Sequence, residues 1–446
     1  MKLFYIIFIL LVFFTDSFFA QKGFQFYGNN KRKQQISFKL INNLIVIPLE
    51  INGKKLSFIL DTGVNKTILF SLSEIDSLSL NNIEKVHLQG LGSGEPVDAL
   101  LSKNNRFKIK NLISNNESAY VILRDQFDLS SKMGTTIHGI IGYNLLKNVI
   151  VRINYNTKKI DFYNPNTFKY NKCRKCETLP IQFYRRKPFI EAQIQLDTIG
   201  TEKISVKMLI DSGGSDALWL FEHSKENIDT PKRFFHDILG EGLSGTIYGN
   251  RSRIPQFSMG KFIINQPTVS FLDTLSTVHA RDFKQRNGSI GGNILKRFKV
   301  WVDYPNKKIT LKKNGSFKNG FNYNMSGLDI VYNGKTLVKE LDVTKKEGYS
   351  PSNNPDNSNV ISFVTSYTYK FKPSYKINRV VHDSPAAKAG LLKGDILIKI
   401  NREKVHNLKL SDIINIFQEK ENKKINITVD RNGEILKYEF RLEKKV

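Results

Sequence analysis

The sequence predicts a mostly β protein built as two copies of one lobe, followed by a smaller α+β module. Three observations carry this prediction. A 22-residue segment recurs at an offset of 149, the residues around both copies alternate apolar and polar, and from about residue 320 a different pattern takes over. The chain has 446 residues, 40% of them hydrophobic and 11% aromatic, enough to fill the cores of several domains.

In chain order, the N-terminal "MKLFYIIFILLVFFTDSFFAQKGF" has one lysine, an apolar run over residues 3–14, then polar residues before the small Ala20. This is the layout of a secretory signal over residues 1–20, cleaved after Ala20, and it predicts an exported protein of the periplasm, the cell envelope or the medium. Export changes the reading of the net charge of +27. An exported chain meets little nucleic acid, and no zinc finger or basic-aromatic motif is present, so the lysines read as solvated surface and no nucleic-acid partner is expected. The only cysteines, Cys173 and Cys176 in "NKCRKCETL", lack two further ligands for zinc and sit in a polar stretch unlike a redox motif. In an oxidising compartment they are able to form a small local disulfide. No His-Glu-x-x-His or Cys/His arrangement occurs, and neither metal nor cofactor is expected.

The repeat is the most informative feature. Residues 141–162, "IGYNLLKNVIVRINYNTKKIDF", and 290–311, "IGGNILKRFKVWVDYPNKKITL", share ten of twenty-two residues. If a whole lobe is duplicated, a residue of chemical interest in one copy has a counterpart in the other. "SFILDTGVNKTILF" carries Asp61, Thr62 and Gly63 after an apolar run, and "MLIDSGGSDALWLF" carries Asp211, Ser212 and Gly213 at an offset of 150. An Asp-Thr-Gly alone is turn chemistry. Duplicated in register, it supplies two carboxylates from symmetry-related loops. Carboxylates about 3 Å apart cannot both ionise, so they share a proton: one then acts as general base on a water while the other polarises a carbonyl. Gly63 and Gly213 allow backbone amides close to the carboxylates, and the hydroxyls of Thr62 and Ser212 are placed to bond across the lobe interface. Each lobe is predicted all-β with one short helix, near "NLLKN" and "NILKR", and with hairpins at "YNTKK" and "YPNKK".

These two motifs, each followed about 80 residues later by an Ile-Gly step at Gly142 and Gly291, resemble the aspartic proteases over roughly residues 36–315. The second motif is similar to the pepsin-like pattern, and the lobe as a whole looks more like the retropepsin-type domains of exported bacterial proteins. The resemblance implies a bilobal acid-protease double β-barrel, with lobe 1 over residues 36–165, a connection over 166–180 and lobe 2 over 181–315. It also implies an Asp61/Asp211 dyad, peptide or unfolded protein as substrate, and a monomer, since one chain holds both carboxylates. Glycine-rich hairpins close over the substrate in such enzymes; the candidates are Gly90, Gly92 and Gly94 in "LQGLGSGEP", and Gly240, Gly242 and Gly245 in "LGEGLSGT". The chain departs from the pepsin-like pattern at Val64 and Gly214, where a hydroxyl donor is missing. Losing that donor implies a dyad less acidic than pepsin's.

Residues 320–446 form the different module. "DSPAAKAGLLKGDILIKI" reads as a proline-started helix, a glycine turn and a strand; "LSDIINIFQ" has helical spacing; and "KINITVDRN" with "ILKYEFRL" reads as a hairpin turning at Asn432 and Gly433. This module resembles a PDZ domain of bacterial type, which implies capture of a chain terminus or extended peptide by strand addition. The loop that would hold a terminal carboxylate matches Met325, Ser326, Gly327 and Leu328, and the polar stretch at about 345–360 reads as an inserted loop. The alternative function is a catalytically silent, exported peptide-binding scaffold; retention of both aspartates speaks against it.

Overall fold

A computed structural model describes residues 23–28, 32–70, 78–90, 94–122, 128–197, 202–243, 245–349 and 359–446. The predicted signal segment and Gly92 lie outside these residues. No helix among them is long and apolar enough to cross a membrane.

Each duplicated unit folds into its own sheet, of nine strands in lobe 1 and ten in lobe 2. Apolar strands build both. Lys54–Leu60 buries Phe58 and Leu60 completely, and its equivalent Ile204–Ile210 buries Met208. Between the lobes lies a six-stranded sheet to which both contribute. It is centred on Ile150–Asn154 paired antiparallel with Phe298–Asp303, the hairpin strands of the repeated segment. Arg152 faces Trp301 across this pair, and the two residues are equivalents at an offset of 149, so the pseudo-twofold axis relating the lobes passes between them. One continuous core spans both lobes. The hydrophobic burial that stabilises each lobe therefore also fixes their relation.

The helices Tyr143–Leu146 and Gly292–Leu295 stand where the sequence places them. Each lobe also carries a helical turn that was not expected, Leu129–Met133 and Thr274–Thr277. Their caps are written in the sequence: Asp128 accepts from the Ser131 amide and Asp273 from the Ser276 amide. Helices this short show no apolar period, which is why pattern reading passes over them. Cys173 and Cys176 are joined as a disulfide in the connection between the lobes.

The C-terminal module has its own core, including Leu397, Ile413, Phe417, Ile425 and Val429. Ser384 caps the helix Pro385–Lys388, Leu410–Ile416 forms the second helix, and the strands Lys424–Arg431 and Glu434–Arg441 turn through Asn432 and Gly433, both at positive φ. The polar stretch read as a loop at about 345–360 is corrected in its described part. The strands Leu328–Tyr349 and Asn359–Val380 pair continuously enough that the ladder reaches Tyr349 opposite Asn359. Alternating β-branched and aromatic residues such as "TLVKELDV" and "SFVTSYTYKF" favour a long hairpin over a loop. The module docks on lobe 2 through Tyr323, whose hydroxyl donates to the Val269 carbonyl (3.0 Å), and through Arg379, paired with Asp237 at 2.9 Å.

Candidate active site

Asp61 and Asp211 follow directly from the ends of the two equivalent apolar strands, where the backbone leaves the sheet. Their amides donate to the carbonyls of Ile141 (2.9 Å) and Ile290 (3.0 Å), the isoleucines of the two Ile-Gly steps. The repeated motif about 80 residues downstream thus pins the backbone of each aspartate.

The two loops grip each other across the interface. Thr62 Oγ1 donates to the Ile210 carbonyl (2.7 Å) and accepts from the Ser212 amide (3.0 Å). Ser212 Oγ donates to the Leu60 carbonyl (2.7 Å) and accepts from the Thr62 amide (3.0 Å). Both hydroxyls are buried, so these four bonds meet no competition from water. Close approach follows. A Cβ on Gly63 would lie 3.2 Å from both Asp61 Oδ1 and Asp211 Oδ1, and one on Gly213 would lie 2.2 Å from the Asp61 carboxyl carbon, a separation only glycine permits. Gly63 N–H donates to Asp61 Oδ1 (2.6 Å) and Gly213 N–H to Asp211 Oδ1 (3.1 Å).

Burial, then repulsion from Asp211, raises the Asp61 carboxyl well above the usual carboxylate range; the Gly63 amide and Lys187 oppose this. Burial also raises Asp211, against the pull of Arg286, Lys187 and the Gly213 and Gly214 amides. One proton is therefore retained by the pair well above the pH at which an exposed carboxylate loses it.

Sequence reasoning did not find Tyr304, Asp216, Lys187 or Arg286. Buried Tyr304 donates to the Thr62 carbonyl (3.1 Å) behind the dyad. Its signal was present, since it is one of the ten residues identical in the repeat, equivalent to Tyr155. Asp216 accepts from Trp219 Nε1 (2.8 Å) and pairs with Arg251 (2.9 Å), which also pairs with Asp237 (2.7 Å). Because Asp237 also holds Arg379 of the PDZ-like module, charged contacts run from the second catalytic-type loop to the C-terminal module.

The two glycine-bearing hairpins roof a cavity of about 400 Å³ lined by Val64, Leu88, Gly90, Lys187, Leu243 and Arg286, among others. Gly90 lies so near Leu243 that a Cβ on it would meet the Leu243 Cβ at 2.4 Å, so the two hairpins touch at these residues. Gly94 accepts at its carbonyl from Gln89 Nε2 (3.3 Å), Gly240 sits against Trp219, and Gly242 faces Gly245 at the turn of the second hairpin.

In the loop expected to hold a terminal carboxylate, three of the four amides have partners within the domain. Met325 N–H donates to the Phe417 carbonyl, Ser326 N–H to Asn324 Oδ1 and Leu328 N–H to Ser326 Oγ. Ser326 is fully buried, and Gly327, at φ +82°, packs against Ser384. The amides of Met325, Ser326 and Leu328 are therefore satisfied inside the domain.

Among the described residues, no three His, Cys, Asp or Glu side chains gather as a metal site. Residues 47–145 match the family described as aspartyl protease, and residues 376–431 match the PDZ domain family. The first match contains Asp61; Asp211 lies beyond it and is tied to it by the duplication. No curated protein matches the chain. Among solved structures, the aspartic proteinase from Irpex lacteus is similar over 64% of this chain and 99% of its own, at 12% identity and a TM-score of 0.41.

Proposed function

We propose that this chain, which carries an aspartyl protease domain and a PDZ domain, is an aspartic endopeptidase whose dyad is Asp61 and Asp211. The observation that carries the reading is the reciprocal grip of Thr62 and Ser212, which brings two carboxyls from duplicated loops against the same glycine, Gly63. A pair sharing one proton holds both groups that amide hydrolysis needs. The ionised carboxylate takes a proton from a water seated between the two, and the protonated partner donates to the scissile carbonyl as the tetrahedral carbon forms. Proton return to the amine nitrogen then breaks the C–N bond. The hairpins at Gly90 and Leu243 act as paired flaps that hold an extended peptide and exclude water.

The PDZ domain supplies a second peptide-binding surface, through groups other than the satisfied amides of the 325–328 turn. The N-terminal segment directs export, a reading supported by the Cys173–Cys176 disulfide.

The test is inhibition. Cleavage of a denatured protein by the full chain is expected to be blocked by a statine-containing peptide, whose hydroxyl takes the place of the water between the carboxyls. It should be unaffected by chelators or by serine- and cysteine-directed reagents. No statine-sensitive cleavage at any pH between about 3 and 8, a range covering the plausible dyad ionisations, would instead favour the silent scaffold.

A further inference from the structure

The duplication provides an internal control for every residue of the site, and at two positions the copies differ in kind. The hairpin turn at Asn42 and Asn43 in lobe 1 matches that at Arg185 and Arg186 in lobe 2: all four residues have positive φ, and Ile41 faces Leu44 as Tyr184 faces Lys187. Lys187 is therefore the equivalent of Leu44. Offsetting the Ile-Gly steps by 149 makes Arg286 the equivalent of Ile137. The register is secured by the next residue along, since His138 accepts the Ser57 amide (3.0 Å) just as Asn287 accepts the Lys207 amide (2.8 Å).

In lobe 1 both positions are aliphatic core, Leu44 at 7% and Ile137 at 0% exposure. In lobe 2 they are cations. Arg286 is 4% exposed, held over the Phe221 ring and donating to Ser289 Oγ (2.7 Å) and the Gly288 carbonyl. Neither Arg286 nor Lys187 has a carboxylate within salt-bridge distance among the described residues; their nearest anionic influence is the dyad. The dyad carries one negative charge when it shares a proton, against two positive charges. Asp61 and Asp211 do not themselves line the cavity, and the carboxylate that does, Asp282, is taken by Arg185 at 2.7 Å. Burial draws Lys187 below the usual lysine range and Arg286 down to about 10. A fold that packs aliphatic residues at the same two places gains no stability from burying an unpaired guanidinium at one and half-burying an unpaired ammonium at the other. The remaining account is that the cavity receives an anion.

We infer that the cavity bounded by Lys187 and Arg286 and lined by Gly90 and Leu243 of the two hairpins is a specificity subsite for an acidic side chain, aspartate or glutamate, of the peptide beside the scissile bond. The inference rests on the endopeptidase reading for the path of the peptide. Arg286 presents a planar fork and Lys187 a point charge, a combination suited to a carboxylate entering a partly desolvated pocket.

The experiment measures binding of non-cleavable reduced-amide peptides to the full chain. Members of the set carry Glu or Gln at each position flanking the isostere, with an amidated C-terminus. At one of these positions the Glu peptide is expected to bind about tenfold or more tightly than its Gln twin. Lys187→Leu and Arg286→Ile, each installing the residue its own duplicate already packs, should bring the two affinities together. Equal affinities in the wild type would overturn the acidic subsite while leaving the endopeptidase reading intact. So would discrimination that survives both substitutions, or substitutions that move only the pH profile. A wild type that binds no member of the set and cleaves nothing would overturn both.

Discussion

Asp211→Asn, and separately Asp61→Asn, should lower kcat on any cleaved peptide by about 10²–10⁴ or more, because each removes one half of a proton-sharing pair acting as base and acid. The same variants should gain stability at alkaline pH. Both carboxyls have folded-state pKa values raised by burial, and Asp61 also by its partner. A raised carboxyl contributes fully to stability below its unfolded value of about 4, and that contribution is lost as pH rises toward the folded value. Asparagine does not titrate. Thermal unfolding should therefore show each variant more stable than wild type at about pH 8, with the difference closing at about pH 3. An inactive variant that is also less stable at alkaline pH would mean that the aspartates serve the fold and not a strained chemical pair.

Thr62→Val carries the second large effect. Valine keeps the shape of threonine but strips the buried hydroxyl. The Ser212 amide then loses its acceptor and the Ile210 carbonyl its donor, inside an interface water does not reach. Two buried polar groups left unsatisfied cost about 2–5 kcal/mol, readable as a lower denaturation midpoint. Activity should fall further than stability alone explains, by about 10²-fold at temperatures where the variant is folded, because small displacements of reacting groups are costly. Ser212→Ala should behave similarly. The double variant should lose less than the sum of the two, since each hydroxyl bonds the backbone of the other's loop. Full additivity would show the grip to be two independent contacts.

The meeting of Asp61 and Asp211 was legible from the sequence because duplication converts a weak local signal into a paired one. Asp61 alone is turn chemistry, whereas Asp61 and Asp211 in register with a shared 22-residue segment specify two loops related by symmetry. The grip was legible for the same reason, as Thr62 and Ser212 hold equivalent places. Tyr304 was written in the repeat yet passed over, because an identical tyrosine reads equally well as core until its hydroxyl has a direction. Lys187 and Arg286 were not legible at all. In a chain with 68 lysines and arginines, a cation beside the two hairpins looks like any solvated one, and only the fold shows it standing where the other copy has Leu44 or Ile137. The bonding of the PDZ-like turn was hidden for a related reason. Motif spacing finds the loop, but whether its amides are free depends on Asn324 and Phe417, which the spacing does not weigh.

The long hairpin shows a different limit. Its distal residues are rich in Lys, Ser and Asn, and composition alone argues for a loop. The strand partner supplies what composition omits: Leu337 faces Phe371 and Leu341 faces Tyr367, so each strand's alternation has meaning only against the other.

A shared proton is the central chemical claim, and the pH dependence of kcat/KM for the wild-type chain tests it most directly. Val64 contributes no hydroxyl to Asp61, which leaves the Gly63 amide as its backbone donor against burial and repulsion. The expected profile is a bell with two limbs belonging to the pair, falling on the acid side when both carboxyls are protonated and on the alkaline side when both are ionised. Its maximum should lie nearer neutrality than the acid range in which pepsin-like enzymes work. A maximum below about pH 3, or a rate rising through a single ionisation with no alkaline fall, would contradict a dyad of this kind.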